Sequence, residues 1–324
     1  MKSLWKEACY AAVMGLVVPG VLLGIVVRWI PQKQIAGITE STVESHWVPV
    51  ETKKRQIEVL NQDGVVSQME LEEYLVGVVL AEMPVSFEEE ARKAQAVVAR
   101  TFTLKSENGG KHENAAVCMD SACCQAYLSE AEYLEKGGTL EGIEKMRSAV
   151  EATAGEVLQY QGELIEATYF SCSGGATEDA VAVWGTEVAY LQSVDSPGEE
   201  GATYYVDSVT FTPSEFASAL DADLKGEPES WLGSVTFTRG GGVNTMVIGG
   251  KTYHGTELRK RLGLRSTAFT IAVGEDKLTI TTRGYGHRVG MSQYGADAMA
   301  VAGSTYQEIL AHYYQGTELI KSEN

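Results

Sequence analysis

The sequence has few prolines, a shortage of basic residues and no low-complexity tract. Only 7 of its 324 residues are proline and 44% are apolar, a composition that argues against a globally disordered chain. Lys and Arg number 26 against 44 Asp and Glu, so the formal net charge is −18. Because binding to phosphate requires a basic surface, this charge argues against nucleic acid as a partner. The length allows one large domain or two ordinary ones.

A stretch without charges near the N-terminus is long enough to cross a bilayer as one helix. It reads ACYAAVMGLVVPGVLLGIVV at residues 8–27, and Arg28 and Trp29 then suit the membrane interface. A secretory signal would have a shorter apolar region and a small-x-small cleavage site, and an uncleaved or late-cleaved signal peptide is the alternative. We predict a transmembrane helix at residues 8–30 after a short tail at residues 1–7. Basic residues lie on both sides of it and do not decide its orientation.

The rest of the chain divides into a linker and a globular domain. Residues 31–55 are polar and have no sustained periodicity, so we predict a linker there. Residues 56–324 have the character of a folded domain. Within them, residues 203–268 alternate like strands and then give a basic helical segment, which predicts an inserted small α/β subdomain. This subdomain would form one wall of a cleft, or it would be purely structural.

Glu82 ends an apolar stripe on a predicted helix. The stripe has apolar side chains at i, i+4 and i+7, the spacing of a face that packs on the core, and they are Leu71, Leu75 and Val78. Glu82 is the next position on this stripe, and Pro84 forces the helix to end directly after it. Loose alternation around Asp63-Gly64 predicts a hairpin before the helix.

The position of Glu82 predicts a raised pKa for its carboxyl. The side chain follows the buried face, lies at the negative end of the helix dipole and has apolar surroundings, and each of these disfavours the charged form. A carboxyl of raised pKa can act as a general acid near neutral pH. The alternative is a glutamate that reaches solvent at the helix edge or pairs with an arginine.

A second helix begins at Ser86 and Glu89, which have the spacing of a capping box. Lys93, Val97 and Arg100 share one of its faces, so two cations would line whatever Glu82 faces. The alternative is that both cations are solvated surface charges.

One histidine and three of the five cysteines lie together in HENAAVCMDSACCQAY, residues 112–127. They supply four ligands, enough for a tetrahedral zinc site, and are His112, Cys118, Cys123 and Cys124. A disulfide is the alternative. The adjacent pair Cys123 and Cys124 cannot easily bond each other, and any pairing within the group leaves one cysteine over.

Several short motifs occur in one order along the globular part. They are AEMP at 81–84, KAQAVVART at 93–101, the VC…CQAY group, SGG at 173–175, AVWG and GHRVGMSQYGA. In these motifs the chain resembles the stage II sporulation protein D family of peptidoglycan lytic transglycosylases, over about residues 56–316. The resemblance implies an α+β fold in which the extracytoplasmic domain is mixed helix and strand, with the inserted subdomain forming a cleft. It also implies a single-pass protein of the cell membrane with a cytoplasmic N-terminus.

The resemblance implies cleavage of the glycan strand, at the MurNAc-GlcNAc linkage, by one glutamate that maps to Glu82. A hydrolase would need a second carboxylate to activate water or attack the sugar, whereas a lytic transglycosylase can use one. Glu82 would protonate the glycosidic oxygen and then take the proton of the muramoyl 6-hydroxyl, which leaves a 1,6-anhydro end. No cofactor is expected for this chemistry.

The family's cleft implies further substrate-binding residues and a structural zinc. The substrate-binding residues would be Lys93, Gln95, Arg100, Ser171, Ser173, His287, Ser292 and Gln293. Some family members bind zinc with a His, Cys, His, Cys set, and Cys123 occupies the place of the second histidine here. Other relatives lack the metal, so the disulfide stays open.

The expected partners are peptide-stripped glycan strands during engulfment in endospore formation, the engulfment amidase (stage II sporulation protein P) and a membrane partner (stage II sporulation protein M). A different class of function is a binding module that docks on the wall and recruits or activates an amidase. A third hypothesis is a cysteine peptidase in which Cys172 is the nucleophile and His287 its base.

Overall fold

The computed structural model describes residues 54–322 except residues 108 and 110. This part of the chain mixes helices and strands, which confirms the α+β prediction. The predicted tail, the predicted transmembrane helix and nearly all of the predicted linker lie outside the described residues. Among those that are described, no helix is long and apolar enough to cross a membrane.

Helices and short strands alternate along the described chain. The helices are α1 (Leu71–Glu82), α2 (Glu89–Glu107), α3 (Glu130–Glu135), α4 (Leu140–Ala152), α5 (Ala180–Trp184), α6 (Pro213–Leu220), α7 (Gly255–Arg261), α8 (Gln293–Val301) and α9 (Tyr306–Tyr313). The strands are β1 (Gln56–Leu60), β2 (Val66–Glu70), β3 (Val117–Cys118), β4 (Glu156–Tyr160), β5 (Glu163–Leu164), β6 (Tyr169–Phe170), β7 (Gly175–Ala176), β8 (Asp195–Ser196), β9 (Val206–Phe211), β10 (Leu232–Phe237), β11 (Val243–Ile248), β12 (Lys251–His254), β13 (Ala268–Val273), β14 (Leu278–Arg283), β15 (Met291–Ser292) and β16 (Glu318–Lys321).

The main core forms around α2, which packs against α1, α4, α8, α9 and β4. The predicted hairpin is present, because β1 and β2 pair antiparallel, and β3 joins β1 in parallel. Helix α1 follows the hairpin directly and stops at Glu82, since Met83 is extended and Pro84 comes next. A Cβ at Gly77 would overlap the ring of Tyr127, so this glycine lets the chain after the cysteine group pack on α1.

A buried ion pair joins α1 and α2. Arg100 is fully buried and its Nε and Nη2 donate to the two carboxylate oxygens of Glu72 at 2.9 and 2.6 Å. The remaining donors reach the carbonyl oxygens of Val150 and Glu156 at 3.2 and 3.1 Å, which ties α4 and β4 to the same side chain. Because the guanidinium is fully buried and its donors are taken up by these partners, it serves packing.

A second core, separate from the first, is built from residues between Phe216 and Ile280. Antiparallel β10, β11 and β12 form one of its sheets, and β13, β14 and β9 form the other. The predicted inserted subdomain, residues 203–268, supplies most of this core, and β13 and β14 beyond it complete the second sheet. The boundary at residue 268 stays a prediction.

Two distant loops meet beside α1. Strand β15 pairs in parallel with β6, and Cys172 forms a β-bridge with Tyr285. A Cβ at Gly284 would lie 2.6 Å from the carbonyl oxygen of Ser173, so only glycine permits this approach. The contact places the start of α8 next to β6, near the end of α1.

We expect Arg100→Ala to lower the free energy of unfolding by about 1–3 kcal/mol, because it leaves the buried carbonyl oxygen of Val150 without its donor and the half-buried Glu72 carboxylate without its partner. Urea denaturation measures this change. As a control, Lys93→Ala removes a cation paired only with exposed or half-buried Glu89 and Glu90, and we expect a loss of about 0.2–1 kcal/mol. Equal losses in the two variants would contradict a buried role for Arg100.

Candidate active site

The carboxylate of Glu82 lies where three segments of the chain meet. One oxygen accepts a hydrogen bond from the backbone N–H of Ala126 at 2.8 Å, and the other accepts from Nε2 of Gln293 at 3.3 Å. The hydroxyl of Tyr169 lines the same cleft and also acts on the pKa of this carboxyl, while its hydrogen bond goes to Oε1 of Gln125 at 3.3 Å. The end of α1, the loop after β3 and the start of α8 therefore hold one side chain.

Burial raises the pKa of the Glu82 carboxyl above its ordinary value of 4.5. The hydrogen bonds from Ala126, Gln293 and Tyr169 oppose this shift because they stabilise the charged form. The direction agrees with the expectation from sequence, and desolvation is its main cause. No ionised neighbour contributes to the shift, so Glu82 is not one half of an ion pair.

Glu82 opens into a cleft of about 350 Å³, which we call the Glu82 cleft. Its lining is formed by Glu82, Phe102, Ser121, Cys124, Thr168, Tyr169, Phe170, Ser171, Tyr285, Gly286, His287 and Gln293. Four of the nine residues predicted for catalysis and substrate binding are in this lining, namely Glu82, Ser171, His287 and Gln293. Glu82 is its sole acidic residue among the described residues, and it contains no lysine or arginine. A neutral, hydroxyl- and amide-bearing ligand suits such walls.

A larger cavity of about 750 Å³ lies on the other side of the loop after β3. Ser121 lines both cavities, and His112, Cys118 and Cys123 line only the larger one. The carboxyl of raised pKa, Glu82, lines the smaller cleft and not the larger cavity. The Glu82 cleft is therefore the candidate active site.

The side-chain amide of Gln95 contacts that of Gln293. Both side chains are buried, and Nε2 of Gln293 lies 3.5 Å from Oε1 of Gln95 as well as 3.3 Å from Glu82. The amide of Gln293 therefore presents its donor to the carboxylate. Gln95 does not line the Glu82 cleft, and its contact with substrate stays a prediction. Ser292 is also buried, and its hydroxyl caps α8 by accepting from the N–H of Gly295 at 3.2 Å.

His287 is a neutral wall of the cleft. Its Nδ1 accepts from the N–H of Val289 at 3.1 Å, and its ring packs against Phe170 and Trp184 with centroid distances of 5.6 Å. Burial lowers the pKa of His287 to about 4, and the nearby positive charge of Arg259 adds to this. The next residue, Arg288, is fixed at a φ of 65°, an uncommon value for a residue with a side chain. Its buried guanidinium donates to the carbonyl oxygens of Ser173, Ala176 and Gly240 at 2.6–2.7 Å.

Ser173 and Cys172 are turned away from the cleft by Glu199. The buried carboxylate of Glu199 accepts from the N–H of Ser173 at 2.6 Å, from its hydroxyl at 2.9 Å and from the thiol of Cys172 at 3.2 Å. This corrects the predicted substrate contact of Ser173, whose polar groups are already bonded. Burial raises the pKa of Cys172 to about 12, so the residue stays a thiol and does not fit the cysteine peptidase hypothesis.

Lys93 and Arg100 do not reach the cleft, which corrects their predicted role there. Lys93 pairs with Glu89 and Glu90 on its own helix at 2.7 and 2.9 Å, and Arg100 is held by Glu72. Helical spacing placed both on one face of α2, but that face turns toward α4 and α9 instead of Glu82. In their place the structure brings Tyr169 into the cleft lining, the N–H of Ala126 to the Glu82 carboxylate, and Gln125 to the hydroxyl of Tyr169 outside the cleft. The last two were visible in sequence only as part of the CQAY motif, to which no role was attached.

The cysteine–histidine cluster, defined as His112, Cys118, Cys123 and Cys124, brings its ligand atoms within 4.8 Å of one another. Nε2 of His112 lies 3.3 Å from Sγ of Cys124 and 3.7 Å from Sγ of Cys123, and the two sulfurs are 4.0 Å apart. Ligands about 2.3 Å from a tetrahedral zinc ion stand roughly 3.8 Å apart, so the donor set and spacing fit zinc. All the cysteines in the described part of the chain are unbridged.

Comparison with known proteins finds similar sequences that share one family name. A family model described as stage II sporulation protein matches residues 61–160, which include Glu82 and the cluster. The chain is 42% identical over 264 residues to stage II sporulation protein D of Bacillus subtilis (strain 168), covering 80% of this chain and 76% of that protein. The chain belongs to the stage II sporulation protein D family.

Other relatives extend the match. Identity is 39% over 265 residues to stage II sporulation protein D of Bacillus amyloliquefaciens, with coverage of 80% of this chain and 76% of that protein. It is 30% over 303 residues to the amidase enhancer of Bacillus subtilis (strain 168), which spans 76% of this chain but 40% of that larger protein. The family resemblance seen in the sequence motifs is thereby confirmed.

We expect the neutral state of His287 to make the protein sensitive to acid. The unfolded chain binds a proton near the ordinary pKa of 6.5, whereas the folded protein does so only near 4, so stability falls as the pH drops through this window. The full loss is about 3 kcal/mol. Urea unfolding at pH 7 and pH 4.5 measures it, and His287→Gln should lose less on acidification than the wild type. An equal loss in both proteins would contradict a buried neutral imidazole.

Proposed function

We propose that this protein is a peptidoglycan lytic transglycosylase that cleaves the MurNAc-GlcNAc linkage with Glu82 as its acid and base. The observation that carries the proposal is one carboxyl of raised pKa in a cleft whose described lining holds no second carboxylate. Hydrolysis with a paired carboxylate needs two such groups about 5–10 Å apart. An intramolecular attack by a sugar hydroxyl needs only one.

In the first step, protonated Glu82 donates its proton to the glycosidic oxygen as the C1–O bond breaks. Burial favours this protonated form before substrate reacts. The hydrogen bonds from Ala126 and Gln293 are in place to receive the carboxylate that the step creates. Such preorganised donors lower the cost of charge that develops during the reaction.

In the second step, the Glu82 carboxylate takes the proton from the 6-hydroxyl of the muramoyl residue while that oxygen bonds to C1. The product is a 1,6-anhydro end, no water is consumed, and Glu82 returns to its protonated form. Phe170 and Tyr285 add aromatic surface to the cleft in which both steps take place. No metal takes part in either step.

The biological setting is part of the same proposal. Family membership supports a role in cell-wall remodelling during sporulation, on strands already stripped of peptides by an amidase. The amidase (stage II sporulation protein P) and stage II sporulation protein M would be its partners. The chain would be held in the cell membrane by residues 8–30, with its N-terminus cytoplasmic and the catalytic domain outside.

A structural zinc at the cysteine–histidine cluster is proposed as well. Four protein ligands leave no open position, so the ion would brace the loop after β3 and would not activate water. Cys124 stands two residues before Ala126, whose N–H bonds Glu82, so the brace would act close to the cleft. The disulfide remains the other use of these cysteines.

A binding module that activates an amidase is the second candidate function. One relative carries the name amidase enhancer, and binding alone would need the cleft but not the raised pKa of Glu82. The two functions share a surface and differ in whether bonds in the glycan are broken.

We expect Glu82→Gln to abolish release of anhydromuramoyl ends, with a fall in rate of at least about 100-fold, because general acid catalysis supplies roughly that factor or more. Mass spectrometry of purified, peptide-free glycan strands after digestion measures the ends. Glu163→Gln, at an exposed position of β5, is the matched control and keeps full activity. Continued release by a folded Glu82→Gln protein would disprove the enzyme, and binding without any cleavage by the wild type would favour the binding module.

We expect protein purified without chelator to hold one zinc per chain. Cys123→Ser should lose the metal, whereas Cys172→Ser, outside the cluster, should keep it. Removal of the ion should lower the free energy of unfolding by about 3 kcal/mol at a free zinc concentration 100-fold above Kd. Elemental analysis and urea unfolding measure these outcomes. Metal-free wild-type protein with two fewer titratable thiols than its 5 cysteines would instead show the disulfide.

A further inference from the structure

Gln125 is a fully buried amide that connects α1, α2 and β6. Its Nε2 donates to Oγ1 of Thr103 at 2.9 Å and lies 3.5 Å from the hydroxyl of Tyr74. Its Oε1 lies 3.3 Å from the hydroxyl oxygen of Tyr169. The side chain does not touch the cleft, since it lies behind Tyr169.

The orientation of this amide is determined by Thr103. The hydroxyl of Thr103 donates its single proton to the carbonyl oxygen of Ala99 at 2.8 Å, so its oxygen can only accept from Gln125. The NH₂ group of Gln125 must therefore face Thr103, and its carbonyl must face Tyr169. The hydrogen-bond network thus fixes a choice that amide shape alone leaves open.

The hydroxyl of Tyr169 has one proton, which it donates to Oε1 of Gln125 at 3.3 Å. The carboxylate of Glu82 lines the same cleft and is the second acceptor beside this hydroxyl. Burial keeps the pKa of Tyr169 well above its usual range, so the phenol stays a donor. A protonated Glu82 needs no extra donor, whereas a carboxylate is stabilised by one.

We propose that the Tyr169 hydroxyl donates to Gln125 while Glu82 is protonated and turns to Glu82 when that group becomes a carboxylate. The significance for catalysis rests on the proposed function, in which Glu82 passes through both forms in each turnover. Only a hydrogen bond is exchanged, and no covalent bond of the protein forms or breaks. Tyr169 is then a further catalytic residue, because in the second arrangement it donates to the reacting carboxylate, and Gln125 is a positioning residue that supplies the other acceptor.

Few other groups can disturb this exchange. The titratable side chains that face Glu82 are Tyr74 from α1, Tyr169 from β6, Cys124 from the loop after β3, and Tyr285 and His287 from the loop after β14. None of them is an ionised partner that contributes to the pKa of Glu82. Substitutions of Tyr169 and Gln125 should therefore change the pKa of Glu82 directly.

The test is the pKa of Glu82 without substrate, followed by carboxyl ¹³C NMR and assigned by the resonance missing from Glu82→Gln. Tyr169→Phe removes the donor to the carboxylate, so the pKa should rise. Gln125→Leu removes the second acceptor and leaves the hydroxyl to Glu82, so the pKa should fall. In the double variant the change at Gln125 should add nothing to the effect of Tyr169→Phe. Shifts in the same direction, no shifts, or additive shifts would overturn the proposal.

Stability is controlled separately. Thr103→Val keeps Gln125 and the local volume but frees the amide to rotate, so its NH₂ can face Tyr169, and the pKa of Glu82 should fall as in Gln125→Leu. This variant carries the test if Gln125→Leu does not fold. Tyr314→Phe is the matched control, because it removes a buried hydroxyl that donates to the carbonyl of Thr168 at 2.7 Å, and it should leave the pKa of Glu82 unchanged. A shift in Tyr314→Phe equal to that in Tyr169→Phe would overturn the assignment.

The rate of glycan cleavage gives the second readout. Tyr169→Phe should slow the release of anhydro ends at saturating strands by about 10- to 100-fold, the cost of one lost donor to a developing charge. If the wild type cleaves no glycan, the proposed function fails while the opposite pKa shifts still test the exchange. If the wild type cleaves and Tyr169→Phe is as fast, the catalytic role of Tyr169 fails alone.

Discussion

The hydrogen bond from the N–H of Ala126 to the carboxylate of Glu82 is the contact on which the rest of the site depends. A carboxyl at the end of an apolar helix face would otherwise bend toward solvent, where it would have an ordinary pKa. The bond holds it against the loop after β3 and leaves its second oxygen to Gln293 from α8. Burial and hydrogen bonding then act in opposite directions on its pKa, and a group balanced in this way can both give and take a proton.

Charges that the site does not use hold the scaffold around it. Arg100 with Glu72 joins α2 to α1, the helix that carries Glu82, and Arg288 donates to Glu178 at 3.1 Å beside the loop that carries His287. A buried ion pair contributes little net stability compared with apolar packing, yet it permits few alternative arrangements because each broken pair leaves a charge without water. These two ion pairs hold the segments around the cleft in place, although the cleft lining itself contains no salt bridge among the described residues.

Local pattern predicted the helix that ends at Glu82, the hairpin around Asp63-Gly64 and the four-residue cluster, because each depends on residues near one another in sequence. It failed at Arg100, because helical spacing tells which residues share a face but not what that face meets. Glu199 and Gln125 went unnoticed for a related reason: their value comes from partners 26 and 44 residues away.

The order of residues after β3 links the cluster to the chemistry. Cys124 belongs to the cluster, Gln125 accepts from Tyr169, and Ala126 donates to Glu82. Three consecutive residues therefore connect the proposed metal site with Tyr169 and with the Glu82 carboxyl. A loop of short strands and turns has little local stability of its own, and an N–H that frays does not stabilise a charge. In the proposed zinc site, four ligands fixed at one end of this loop would limit that fraying two residues from the bond between Ala126 and Glu82. The cluster would then need no open coordination position to influence the proposed reaction, because its effect on Glu82 would pass through the backbone from Cys124 to Ala126.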